Sequence, residues 1–203
     1  MCVMTTTLRC AWWLVVGALA TAPLTGQRPS APTGNSGPWL GGGAGLGWAR
    51  VDCRICDANR GHSLSAYAHL GFPMSRRIIL GGEVALWRQN ARPDQNRLAS
   101  ELMIAYNAVM FWYPSTRYPY YLKSGFGLVT YRIHDNTNRL TSSALGPQIG
   151  AGWEFPIAAH FALVPYANFL FASTGAEVKF NGQQVLDNAS LELFQFGVGL
   201  SRR

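Results

Sequence analysis

Residues 145–155 read LGPQIGAGWEF, and their side chains alternate in character along the whole stretch. The odd-numbered positions from Leu145 to Phe155 are apolar, whereas the even-numbered positions are glycine, Gln148 or Glu154. Successive side chains of a β-strand point to opposite faces, whereas a helix would spread Gln148 and Glu154 around its surface. The stretch therefore predicts a strand with one large apolar face and one small or polar face.

Seven further runs between Trp39 and the C-terminus repeat this two-faced pattern. The small or polar faces are rich in glycine and carry several charges. Glycine is an unusual choice for the water-facing side of a strand, but it fits a crowded barrel interior. The pattern therefore favours a barrel whose apolar faces point outward into lipid. The alternative is a soluble sandwich or lipocalin-type barrel, in which the apolar faces would point inward.

The connections between the eight runs alternate between long and short. The long connections are Val51–Ser63, Arg88–Arg97, Arg132–Ser143 and Ala172–Ser190, and the short ones are Pro73–Arg77, Pro114–Pro119 and Pro156–His160. Brief periplasmic turns and longer external loops are typical of bacterial outer-membrane barrels. We therefore predict an all-β, eight-stranded antiparallel up-and-down transmembrane β-barrel, monomeric, with both termini periplasmic.

Three of the runs resemble strands of a known family. Residues 39–48 (WLGGGAGLGW), 163–168 (LVPYAN) and 193–200 (LFQFGVGL) resemble strands of small bacterial outer-membrane barrels of the OmpA/OmpX type. The resemblance covers residues 39–203 and implies an eight-stranded outer-membrane barrel, but it implies no particular activity. Such barrels usually end in an aromatic residue, whereas this chain ends in Leu200-Ser201-Arg202-Arg203.

The N-terminal residues predict export. Residues 1–22 read as a secretory signal peptide, because Arg9 precedes the short apolar core Ala11–Ala20 and small residues follow it. An uncleaved anchor is the alternative, but that core is shorter than the about 20 apolar residues of a spanning helix. Residues 23–38 are rich in Gly, Pro, Ser and Thr and predict a flexible lead-in, followed by one barrel domain at 39–203.

The net charge of +7 is spread over two predicted rims of the barrel. The periplasmic rim holds Arg76, Arg77, Arg117, Arg202 and Arg203, and the external rim holds Arg50, Arg54, Arg60, Arg88, Arg92, Arg97, Arg132 and Arg139. Solvated rims explain these residues, and external arginines also suit the phosphates of lipopolysaccharide. The expected partners are therefore outer-membrane lipid and lipopolysaccharide, and no basic stripe indicates a nucleic-acid partner.

Aromatic side chains cluster near the predicted strand ends, where they predict two interfacial girdles. Ordinary strand preference for aromatic residues is the alternative explanation. The members near the short turns are Trp112, Tyr113, Tyr118, Tyr120, Tyr121, Trp153, Phe155 and Phe161, and those near the long loops are Trp48, Trp87, Tyr131, Phe169 and Phe171.

Six charged or amide side chains form a predicted polar network in the lumen. They are Glu83, Glu101, Lys123, Gln148, Glu154 and Glu192. Four carboxylates cannot all stay ionised in a narrow space without partners. An ion-pair and hydrogen-bond plug is favoured, since eight strands enclose a lumen that side chains can fill. The alternative is a narrow ion or small-solute pore lined by Glu83, Glu101 and Glu154.

Few other residues suggest chemistry. Cys53-Arg54-Ile55-Cys56 lacks the further ligands of a zinc site and the histidine of a haem site, so a disulfide in the first external loop is predicted. His134, Asp135, Ser142 and Ser143 share a predicted loop and could supply a base and a nucleophile, so a lipid-modifying enzyme is the third alternative. Asn181-Gly182 predicts an external hairpin.

The sequence as a whole predicts a structural or surface-interaction role. We expect the external loops to bind an external protein or surface ligand. We expect no enzymatic activity, cofactor or metal.

Overall fold

The computed structural model describes residues 37–53, 61–91, 99–115, 117–134, 138–186 and 189–202. Within these ranges, eleven antiparallel strands belong to one sheet. They are β1 (Trp39–Cys53), β2 (Gly61–Pro73), β3 (Ile78–Ala91), β4 (Ala99–Trp112), β5 (Tyr120–His134), β6 (Arg139–Trp153), β7 (Phe155–Ala158), β8 (Phe161–Ala172), β9 (Thr174–Phe180), β10 (Gln183–Leu186) and β11 (Ala189–Arg202). In the described part of the chain, no helix has the length and apolar character needed to cross a membrane.

The sheet closes on itself to form a barrel. The first strand, β1, pairs with β2 on one edge and with the last strand, β11, on the other. β6 pairs with β5 on one edge and with both β8 and β9 on the other, so β8 and β9 act as one barrel strand interrupted at Ser173. β7 extends β6 beyond Glu154, and β10 folds back on β9. The predicted eight-stranded antiparallel barrel is confirmed.

The strands are strongly staggered. A ladder of paired residues that starts at Trp39 crosses every barrel strand and returns to β1 at Ala49, ten residues further along. Its members are Trp39, Gly71, Gly81, Val109, Gly125, Gln148, Leu170, Leu193 and Ala49. The shift is even, so inward positions meet inward positions around the whole barrel. Stagger of this kind tilts the strands, and eight strands leave a lumen that side chains can fill.

The two ends of the barrel differ. At one end, named the terminal end, Leu40 pairs with Arg202, and the turn 74–77 joins β2 to β3. At the other, named the loop end, lie Cys53, Gly61 and the β9–β10 hairpin. Both ends of the barrel domain therefore lie at the same end of the molecule.

The apolar faces point outward, as the alternation predicted. Leu46, Phe126 and Ile149 are respectively 46%, 53% and 59% exposed on the outer wall. Lys123 and Gln148, on the opposite faces of β5 and β6, are buried in the lumen. A wall of exposed apolar side chains around a polar-containing lumen is the arrangement of a barrel surrounded by lipid.

The predicted rhythm of connection lengths is only partly correct. Residues 132–143 were expected to form a long loop, but His134 pairs with Arg139, and only residues 135–138 separate β5 from β6. The short connection predicted at Pro114–Pro119 between β4 and β5 is found at residues 113–119, so it is longer than this supposed long loop. The error arises because backbone pairing continues through polar residues once the strands extend past the apolar belt. Pairing needs backbone groups, not apolar side chains.

The glycines allow the close packing of the interior. At the Gly45–Gly197 pair between β1 and β11, a Cβ on Gly45 would stand 2.6 Å from the Gly197 Cα and 2.8 Å from the Phe196 carbonyl carbon. Backbone atoms would have to move to accommodate it. We name the inward glycines of β1 and β11 the glycine wall. Because they have no side chains, the larger side chains of the other strands can fill the lumen beside them.

Candidate functional site

A buried ion pair occupies the middle of the lumen. Nζ of Lys123 on β5 donates to both carboxylate oxygens of Glu83 on β3, each at 2.7 Å. The side-chain amide of Gln148 donates to Oε1 of the same carboxylate at 2.6 Å. All three residues are at most 4% exposed. Desolvated charges are stable only when paired and hydrogen-bonded, and this pair satisfies both conditions.

An aromatic layer closes the lumen below this pair, toward the terminal end. The indole of Trp39 stacks on the His69 ring with centroids 4.1 Å apart and contacts Phe111 edge-on at 4.5 Å. Beside this layer, Glu154 accepts hydrogen bonds of 3.3 Å from the Tyr113 and Ser201 hydroxyls. The carboxylate of Glu154 therefore lies at the terminal end of the lumen, apart from the central pair.

An apolar layer closes the lumen toward the loop end. Its largest member, Trp87, is 1% exposed and donates from Nε1 to the Gly47 carbonyl oxygen at 3.0 Å. The other buried members include Val51, Ala85, Met103, Ala105, Val129, Ala144, Leu170, Ala172, Val178, Leu191 and Leu193. At its edge, the Tyr131 hydroxyl donates to Glu101 at 2.8 Å. The sequence prediction of a polar lumen missed this layer, although alternating alanine, valine and leucine at inward positions was a signal for it.

Several polar side-chain atoms in the lumen lack hydrogen-bond partners among the described residues. Both side-chain polar atoms of Asn107, Oε1 of Gln148 and Nδ2 of Asn168 are buried and make no hydrogen bond with any residue in the described ranges. Asn107 pairs in register with Glu83, and Asn168 with Gly150, so these groups lie near the central ion pair. They extend the polar character of this level of the barrel.

The predicted lumen network therefore divides into separate groups. The structure brings Glu83, Lys123 and Gln148 together, whereas Glu101 lies near the loop end and Glu154 near the terminal end. The placement of Glu192 in the lumen was wrong. Glu192 is in register with Arg50 and shares the outward side of β11 with Phe194, because alternation from the buried Leu191 and Leu193 turns it outward.

The predicted aromatic girdles also need correction. Trp87, Tyr113, Tyr121 and Tyr131 are buried in the lumen. Five predicted girdle members remain exposed on the wall toward the terminal end: Trp112, Tyr118, Trp153, Phe155 and Phe161. Phe169 and Phe171 are also exposed, on the half of β8 nearer the loop end.

Near the terminal end, the wall has a shallow groove of about 420 Å³. It is lined by Tyr120, Tyr121, Ala151, Gly152, Trp153, Pro165, Tyr166 and Ala167. Its apolar lining continues the apolar wall.

The residues considered for chemistry are only partly described by the structure. His134 is exposed on the outer side of β5, whereas Ser142 is buried on the inner side of β6. Asp135 and Cys56 lie outside the described residues, as does the side chain of Cys53, so the predicted disulfide falls there as well. Among the described residues, no group of three or more His, Cys, Asp or Glu side chains is arranged to hold a metal ion.

The Asn181-Gly182 hairpin is confirmed. Asn181 and Gly182 have φ angles of 49° and 88°, which are the positive values that a two-residue turn of this type requires. Oδ1 of Asn181 accepts from the Arg139 backbone N–H at 2.8 Å, and the Asn181 N–H donates to the Arg139 carbonyl at 2.9 Å. These bonds fix the hairpin to the start of β6, at the loop end.

A closed eight-stranded barrel with an apolar outer wall and a filled lumen is the architecture of small outer-membrane proteins. Comparison with solved structures agrees. Neisserial surface protein A is similar with a TM-score of 0.50 and 16% identity, over 83% of this chain and 98% of that chain. Ail, the attachment invasion locus protein of Yersinia pestis, in complex with the heparin analogue sucrose octasulfate, gives a TM-score of 0.53 and 12% identity, over 81% and 98%.

At these identities the likeness concerns the fold. No protein-family model matches the sequence, and a search of curated proteins gives no match. The resemblance to small outer-membrane barrels that the sequence suggested is thus confirmed as a resemblance of fold.

Proposed function

We propose that this chain is a bacterial outer-membrane protein that presents a binding surface at its loop end and keeps its lumen closed. The observation that carries the proposal is the contrast between the two regions. The lumen charges Glu83 and Lys123 are paired and buried between two packed layers. The loop end carries exposed basic side chains and a projecting hairpin.

The outer wall supports the location. Exposed leucine, isoleucine and phenylalanine side chains surround the barrel, and such a surface is stable in lipid but prone to association in water. The short-turn rule for outer-membrane barrels places the terminal end in the periplasm. The loop end would then face the cell exterior, and the signal peptide predicted at residues 1–22 would bring the chain across the inner membrane.

The filled lumen supports a role other than transport. Passage of a solute would require separation of the Lys123 ammonium from the Glu83 carboxylate and displacement of the Trp39, His69 and Phe111 rings. Separating a buried pair exposes each charge to a poorly solvating environment, which costs about 3–5 kcal/mol. A non-enzymatic role in binding at the cell surface therefore fits better, with anionic lipid, a protein or another surface ligand as partner. The structure of Ail with a heparin analogue offers an anionic ligand as a precedent for this fold.

A narrow pore is the second candidate. The observation in its favour is the unpartnered polar atoms of Asn107, Gln148 and Asn168 around Glu83, since water molecules would satisfy them. A continuous file of such waters would form a path for small ions if the aromatic layer opened.

Two measurements on the full chain test the proposal. A heat-modifiable shift in gel mobility of the detergent-extracted protein is expected, because a lipid-facing barrel resists unfolding by detergent at low temperature. In planar lipid bilayers we expect no steady channel openings. Steady openings whose conductance changes in a Glu83→Gln variant would replace the closed-lumen proposal with the pore.

A further inference from the structure

Basic side chains form a row on the outer wall near the loop end. Across β3, β4, β5, β6 and β9, the register aligns Arg88 with Leu102, Leu102 with Arg132, Arg132 with Thr141, and Thr141 with Lys179. We name these five residues the basic row, after Arg88, Arg132 and Lys179; Leu102 and Thr141 lie between them. Its members point outward, because they alternate with buried inward residues on their strands.

The basic row lies at a boundary in the character of the wall. On the side toward the middle of the barrel, the adjacent outward positions of β3 and β4 are Leu86 and Ile104. On the side toward the loop end, the outward positions are Asn90, Ser100, His134 and Arg139. On β3 and β4 the outward side chains therefore change from apolar to polar at the row. On β5 and β6 the change comes one outward position nearer the middle, where Thr130 and Ser143 face each other before Leu128 and Leu145.

The arginines of the row have no acidic partner in the described structure. Arg88 and Arg132 are exposed, and neither forms an ion pair with a described residue. Lys179 is paired with Glu177 at 2.9 Å. Arg88 and Arg132 lie on alternate strands, which separates their backbones by about 10 Å. Two long side chains at that separation can bind one phosphorylated headgroup from both sides, each guanidinium as a forked donor.

The opposite wall of the barrel is different at the same end. Arg50 on β1 binds Asp52 at 3.2 Å and is in register with Glu192 on β11, which in turn is in register with Phe171 on β8. Acidic side chains thus accompany the only arginine that the described part of this wall carries near the loop end. Among the described residues near the loop end, one wall therefore carries Arg88 and Arg132 outside any ion pair, and the opposite wall, the balanced wall, carries an arginine that is paired.

We propose that the basic row binds the phosphate groups of a glycolipid of the outer leaflet, with lipopolysaccharide as the lipid. The site needs a ligand that is anionic at the level of Arg88 and Arg132 and apolar beside Leu86 and Ile104. A phosphorylated lipid has both parts in this order, whereas a soluble sulfated polysaccharide has only the anionic part. Leu102, between the two arginines, contacts the lipid at the junction of headgroup and acyl chains. The inference rests on the proposed membrane location and adds a ligand and a side of the barrel.

The experiment compares binding by the full chain in detergent micelles, measured by native mass spectrometry with titrated diphosphorylated lipid A. In an Arg88→Gln/Arg132→Gln variant we expect the dissociation constant to rise at least about tenfold, since two charge-assisted contacts are lost. The matched control is Arg50→Gln on the balanced wall, which leaves the dissociation constant within about twofold of the parent. Dephosphorylated lipid A is expected to bind the parent as weakly as lipid A binds the double variant.

Each other outcome overturns the proposal in an identifiable way. Equal weakening by Arg50→Gln would mean a diffuse charge effect instead of a site. Equal binding of the dephosphorylated lipid would mean attraction to acyl chains alone. Competition by inorganic phosphate or heparin at concentrations equal to that of lipid A would mean a site for free anions or polysaccharide. The gel shift of every variant is measured in parallel, so that a protein that fails to form a membrane barrel is distinguished from a barrel that does not bind lipid.

Discussion

Lys123 and Arg132 belong to the same strand, β5, yet their surroundings are opposite. Lys123 is 4% exposed, and both oxygens of Glu83 lie 2.7 Å from its Nζ. Arg132 is exposed on the outer wall and forms no ion pair with a described residue. A buried charge needs its partner for stability, whereas an exposed guanidinium remains available for an external anion. The comparison indicates that the lumen charges hold the barrel together, whereas the wall charges are available for the binding proposed above.

The strongest test of this difference removes the buried cation. Lys123→Met leaves the Glu83 carboxylate buried without its counter-ion, and we expect the free energy of unfolding to fall by about 3–5 kcal/mol. Urea titration of the protein folded in phospholipid vesicles, followed by tryptophan fluorescence, measures this change. The Glu83→Gln/Lys123→Met variant removes both charges of the pair. Its loss of unfolding free energy is expected to be well below that of the single variant. Equal losses in the two variants would show that packing, and not the ion pair, stabilises this level.

A second test concerns the glycine wall against which the lumen side chains pack. Gly45→Ala forces a methyl group against the backbone of β11, and the expected cost is about 1–3 kcal/mol in the same titration. Gly82→Ala is the control, because its Cβ would meet nothing closer than the Asn107 carbonyl oxygen at 3.9 Å. That variant is expected to be neutral or more stable by about 0.5–1 kcal/mol, since alanine loses less backbone entropy than glycine. A stable Gly45→Ala protein would mean that β1 and β11 can separate without cost.

The sequence predicts the faces of the strands better than the contacts between them. The alternation at Leu145–Phe155 predicts which side of β6 faces lipid, because one short run contains the whole signal. The same rule, applied from Phe194, would have placed Glu192 outward. The pairing of Glu83 with Lys123, by contrast, crosses from β3 to β5 and depends on the ten-residue stagger of the closed barrel, which no single strand specifies.

Loop boundaries were hard to predict for a related physical reason. Polar composition at residues 132–143 indicated a loop, but a strand outside the membrane needs no apolar face, so His134 and Arg139 still pair. The turn at Asn181-Gly182 was predictable because it depends on two residues that tolerate positive φ. The basic row could not be found from charge alone, since its members come from five strands that only the register aligns.

A third test addresses the hairpin that projects at the loop end beside the basic row. Asn181→Ala removes the acceptor for the Arg139 N–H. It also puts alanine, whose side chain cannot form a local hydrogen bond, at a φ of 49°. We expect local destabilisation of about 1–2 kcal/mol, seen as hydrogen exchange about tenfold faster at the β9–β10 amides. Asn181→Gly keeps the backbone freedom but not the acceptor, so its exchange rate should lie between the other two. Unchanged exchange in Asn181→Ala would mean that pairing with β6 alone holds the hairpin.

The smallest expected effect on stability provides the other half of the comparison. Arg132→Gln removes an exposed side chain that has no ion-pair partner among the described residues, so the free energy of unfolding should change by less than about 0.5 kcal/mol. The measurement is the urea titration used for Lys123→Met, and both changes remove one positive charge from β5. A loss above about 1 kcal/mol would assign Arg132 a role in holding the barrel wall. A stable Arg132→Gln protein that binds lipid A less tightly would separate binding from folding on a single strand.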